Sequence, residues 1–148
     1  MNLALPRILQ ARIEADARAA YPAECCGLIE GAADRDMAKA LALHPARNIA
    51  TRRDRFEIHP EDHFAALRAA RANGHAIIGC YHSHPDGLAQ PSETDRAGGG
   101  EENFIWLIAA LAQADGPIAV AAFVYSAACF LPVGLSSPVG PDFVTSSE

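Results

Sequence analysis

An apolar stretch, Ala76-Ile77-Ile78-Gly79-Cys80-Tyr81, runs directly into His82-Ser83-His84, and Pro85 stops it. Continuous apolar runs of this length, closed by a turn former, read as buried strands. This element constrains the fold more than any other, because it spends a core strand on delivering two imidazoles to one place. Residues two apart in a strand point to the same face, so His82 and His84 project together.

The rest of the chain supplies companions for that strand. Leu9, Ile13, Ala17 and Ala20 recur at helical spacing over residues 6–20, with Tyr21-Pro22 as the stop. A second helix is signalled by Pro60 at its first position, Glu61 and Asp62 at its positive end, and Asn73-Gly74 as its terminator. Strands are expected over 25–30, 38–43, 54–58, 104–112, 118–125 and 129–133, with a loop over 44–53. The sum is an α/β domain, a mostly strand-built core flanked by two helices. Residues 136–148, rich in Ser and Pro, are expected to be a flexible tail, which leaves 1–135 as the domain.

Composition narrows the function. With 148 residues, half of them apolar and a fifth charged, the chain has the make-up of one globular domain. Twelve basic residues against eighteen acidic ones give a net charge of −6, and no basic stripe is present. Nucleic acid is disfavoured as a partner on that ground. The two longest apolar runs are about nine residues each, too short to span a bilayer. No secretory start is apparent, and Cys25, Cys26, Cys80 and Cys129 form a poor disulfide framework. The expectation is a cytoplasmic protein with reduced thiols, in which Cys25, Cys26 and Cys80 serve as small core fillers.

Two imidazoles on one strand face can grip a single metal ion. Pro85 forces a loop that lets the chain return with a third ligand, and Asp95 is the candidate. Two neutral imidazoles and a carboxylate leave the fourth position of a zinc ion open, as catalytic sites require. Such a site still lacks a proton acceptor, and Glu24, placed before a short apolar strand, is the candidate general base. Ser92-x-x-Asp95 also reads as a helix-opening capping box, which would hold Asp95 in place.

Glu24 followed by Cys25-Cys26-Gly27-Leu28, then His82-Ser83-His84-Pro85, seven residues, Ser92, two residues and Asp95, resembles the JAMM, or MPN+, metalloprotease family in its short, single-domain bacterial form. The resemblance runs from about residue 9 to residue 133. It implies a cytidine-deaminase-like fold with a mixed, curved β-sheet between two main helices. It implies one Zn2+ per chain held by His82, His84 and Asp95, with Glu24 as general base. Ser92 would donate to the oxygen of the tetrahedral intermediate. The implied reaction is hydrolysis of a peptide or isopeptide bond after the C-terminal Gly-Gly of a ubiquitin-like or sulfur-carrier protein.

Two substrate branches stay open: processing of a sulfur carrier, or deconjugation in a ubiquitin-like system with E1-like and E2-like proteins nearby. The loops over 86–91 and 44–53 are the expected groove walls. A different class of reading is a catalytically silent MPN-type binding scaffold. His-x-His also opens amidohydrolase and phosphoesterase barrels, which need roughly 200 residues or more. His63, on the second helix, is expected at the surface or an interface rather than at a metal.

Overall fold

The computed structural model describes residues 1–138. Its strands are β1 (Asn2–Ala4), β2 (Cys26–Ala33), β3 (Met37–Ala46), β4 (Ala76–His84), β5 (Ile105–Ala110), β6 (Ala119–Ser126) and β7 (Cys129–Ser136). The helices are α1 (Arg7–Ala20), α2 (Pro60–Ala72) and α3 (Glu93–Gly98). The strands join in the order β1-β3-β2-β4-β5-β6-β7 into a closed barrel. β4 and β5 run parallel, as do β1 and each of its two neighbours, and the remaining pairs are antiparallel.

The core divides at the sheet. Leu9, Ile13 and Ala17 of α1 pack with Ile29, Tyr81, Leu107 and Ala109 on one face. On the other, Ala66 of α2 packs with Leu28, Cys80 and Trp106. β4 therefore alternates: Tyr81 faces the α1 side, while Cys80 turns the opposite way. Side-chain alternation carries His82 and His84 to the same side as Cys80. Gly27 is needed here, since a Cβ on it would lie 2.3 Å from the Tyr81 ring.

The expectation of a mixed, curved sheet flanked by two main helices is corrected to a closed seven-stranded barrel with three helices among the described residues. Closure depends on β1, three residues long, which pairs with both β3 and β7. A strand that short has no measurable period, so nothing local announces it. The expected strand over 54–58 is likewise absent: only Asn48 and Ile58 form an isolated bridge. The Asn48 side chain accepts from the backbone N–H groups of Ala50 and Glu57, at 3.0 and 2.9 Å, and so folds the segment into a loop. The other expected strands and both long helices form, with no end shifted by more than three residues. The expected tail mostly lies outside the described residues, apart from Ser136, which ends β7, and residues 137–138.

Candidate active site

His82 and His84 end β4 on one face, fully buried and 4 % exposed. Their Nε2 atoms stand 2.8 Å apart, and both reach Asp95 Oδ2, at 3.2 and 3.1 Å. Asp95 is placed by the capping box that opens α3. Ser92 Oγ accepts from the Asp95 N–H at 3.0 Å, and Asp95 Oδ2 accepts from the Ser92 N–H at 2.9 Å. The capping reading and the ligand reading of Asp95 thus describe one arrangement.

Glu24 comes from the segment just before β2, the strand that pairs with β4 and sets Cys26 opposite His82. It is 6 % exposed, and its Oε1 is buried without a hydrogen-bond partner among the described residues. One of its oxygens lies within 4.8 Å of donor nitrogens of both His82 and His84. Two residues that sequence reasoning passed over hold it there. Ser83, between the histidines but on the other strand face, accepts from the Cys25 N–H at 2.8 Å. Asn48 donates to the Glu24 carbonyl at 2.9 Å. Ser83 carried a usable signal, since a hydroxyl in a buried strand needs a partner. Asn48 carried none, because its role depends on a loop 24 residues downstream of Glu24.

Three atoms bearing lone pairs aimed at one point is a metal-binding pattern. A tetrahedral ion with bonds of ~2.0–2.1 Å sets its donor atoms about 3.3 Å apart. Two of the spacings here, 3.1 and 3.2 Å, lie close to that value, and the 2.8 Å between the two imidazole nitrogens is shorter. His84 Nδ1 faces the Leu88 carbonyl at 2.9 Å, so it carries the proton and leaves Nε2 free to ligate. The electrostatics suit a cation. Burial works against ionising Asp95, yet the close ring nitrogens of His82 and His84 and the Ser92 backbone N–H outweigh it and hold the carboxyl well below the usual carboxylate range. Burial also pushes His82 down, toward the neutral form that ligates. Glu24, lacking such donors, is pushed up to about 7 by burial, which outweighs the pull of His84.

Two cavities flank the donor set. One of about 360 Å³ is lined by Tyr21, Pro22, Glu24, Asp54, His84 and Ser92, with Arg53 and Asp86 from the two expected wall loops. The other, of about 620 Å³, is lined by Phe56, Glu57, Asp95, Gly99 and Trp106. His63 is exposed on α2, and His59 caps that helix by accepting from the Glu61 N–H. His44 and His75 both bond to Glu30. Burial raises the thiols of Cys25 to about 11 and Cys26 to about 12, in keeping with core fillers.

A family model described as prokaryotic homologs of the JAB domain matches residues 6–122. The desampylase of Haloferax volcanii is 38 % identical over 88 residues, which are 59 % of this chain and 62 % of that protein. The matched stretch thus spans less than two thirds of that relative. A solution structure from Desulfitobacterium hafniense superposes with a TM-score of 0.79 at 26 % identity, covering 93 % of this chain and 95 % of the other. A JAB1/MPN domain protein from Archaeoglobus fulgidus, at 17 % identity, superposes with a TM-score of 0.52 over 93 % and 97 % of the two chains and speaks for the fold alone.

Proposed function

Because the chain belongs to the family of prokaryotic homologs of the JAB domain, we propose that it is a zinc-dependent peptidase or isopeptidase. Its substrate is the bond after the C-terminal Gly-Gly of a ubiquitin-like or sulfur-carrier protein. The observation that carries this reading is the convergence of His82, His84 and Asp95 on one point, with an unpartnered Glu24 oxygen beside it. An intact donor set of this kind speaks against the silent-scaffold alternative. The substrate class draws on the desampylase relative, and on burial. With every ligand 6 % exposed or less, a tail without side chains reaches the site where a branched one is excluded.

Zinc held by His82, His84 and Asp95 would supply Lewis acidity, polarising the scissile carbonyl and activating a water near neutral pH. The chain's own groups do the rest. Glu24 takes the proton of the attacking water and returns it to the leaving amine, a role suited to a carboxyl raised to about 7. Ser92 Oγ is engaged only as an acceptor, so its hydroxyl proton is free to donate to the oxygen of the tetrahedral intermediate.

The test is zinc content of the purified chain, paired with cleavage of a Gly-Gly-terminated carrier fusion with and without chelator. One zinc per chain and chelator-sensitive cleavage are expected. A chain that holds no zinc and cleaves nothing would return the protein to the scaffold reading.

A further inference from the structure

The two imidazoles of the site are supported differently. His84 has its second nitrogen on the Leu88 carbonyl, whereas His82 Nδ1 is buried without a hydrogen-bond partner among the described residues. A ligating histidine ordinarily ties that nitrogen to a carboxylate, carbonyl or water, which fixes the orientation of the ring. What surrounds His82 is aromatic. Phe56 lies against its face, with ring centroids 4.3 Å apart and planes 24° from parallel. Trp106 meets the same ring nearly perpendicular, at 5.6 Å and 87°. Phe56 and Trp106 in turn touch at 5.7 Å, so the three rings brace one another.

We infer that Phe56 is a positioning residue for the metal site: its ring, braced on Trp106, sets the plane of His82 and hence the direction of the Nε2 lone pair. It takes over the orienting part of the hydrogen bond that Nδ1 lacks. This rests on reading His82, His84 and Asp95 as zinc ligands. An imidazole turns about its side-chain torsions unless something opposes the turn. A flat ring stacked on its face opposes it.

The placement of Phe56 is tied to the rest of the site. It sits on the loop between β3 and α2, and Asn48 holds that loop at the Glu57 N–H while donating to the Glu24 carbonyl. One asparagine therefore registers the base and the stacked ring against each other. Nothing in the spacing of the glutamate, the two histidines, the serine and the aspartate includes position 56.

Zinc affinity measured by competition with a chromogenic chelator tests this without relying on turnover. So does the visible absorption of the Co2+-substituted chain, which reports ligand geometry. Phe56→Leu is expected to weaken zinc binding about 10- to 100-fold, the scale of lost outer support for a ligand, and to shift the Co2+ bands. Phe56→Tyr keeps the stacked ring and is expected to match the parent chain in both readouts. The control is Phe130→Leu, because Phe130 also packs on Trp106, at 5.0 Å, with no ring contact to His82 among the described residues. Parent-like zinc affinity and Co2+ bands in Phe56→Leu would overturn the inference. Equal losses in Phe56→Leu and Phe130→Leu would overturn it too, by showing general packing instead of positioning. A parent chain that binds no zinc at all removes the ligand reading itself, and the inference with it.

Discussion

Glu24 and Glu30 are buried carboxyls six residues apart, and their surroundings drive them in opposite directions. Glu24 has no donor on Oε1, so burial lifts it to about 7. Burial also works against Glu30, but hydrogen bonds from Asn73, His44 and His75, at 3.0, 2.8 and 2.6 Å, outweigh it and hold the carboxyl at about 2. The difference separates a group free to take a proton from one that fastens α2 to the sheet. Glu24→Gln should keep its zinc, measured by elemental analysis, while hydrolysis falls by ~10²-fold or more. Loss of the metal instead would make Glu24 a ligand. For Glu30 the folded value lies below the ordinary 4.5, so its stabilisation is fully present above that pH and is lost as pH falls toward about 2. Glu30→Gln is expected to cost on the order of 2 kcal/mol at pH 7. Denaturant titrations of the two chains should converge as pH approaches 2.

Among the elements, α3 shows how six residues can place a carboxylate against two histidines. Its capping box satisfies two backbone donors and in doing so points Asp95 at the histidines. Capping and oxyanion donation both run through Ser92, and two substitutions separate them. Ser92→Ala removes the cap, worth about 1 kcal/mol to the helix, and is expected to lower zinc retention together with activity. Ser92→Asp caps as well but has no proton to donate when ionised, so zinc should stay while hydrolysis is lost. Should Ser92→Asp turn over normally, Ser92 acts through the cap alone. β4 makes the complementary contribution: its alternation aims His82 and His84, and its inner Ser83 draws in the strand that carries Glu24.

At the scale of the molecule, the site is assembled from three stretches of chain that meet only in the folded state. Residues 24, 82–84 and 92–95 come from the segment before β2, from β4 and from the capped start of α3, and each stretch is held by a bond to another. An ion held by His82, His84 and Asp95 would stabilise the folded chain by mass action, because the unfolded chain no longer presents the site. Chelation should therefore lower the thermal midpoint of the parent chain by several degrees and leave that of His84→Ala unmoved. Equal shifts in both chains would place the stabilising metal elsewhere.

Much of this was legible before any folding. The apolar run into His82-Ser83-His84, the helix signals around residues 6–20 and 60–73, and the Ser92-x-x-Asp95 cap are all short-range patterns, set by side-chain periods and local hydrogen bonds. The spacing that joins them to Glu24 carried the family. Tertiary structure alone decided the rest. β1 closed the barrel with three residues, Asn48 turned an expected strand into a loop, and Phe56 came to lie on His82. Each of these joins residues brought together across the fold with no repeating pattern between them, so the energy that selects them exists only once the chain has met itself.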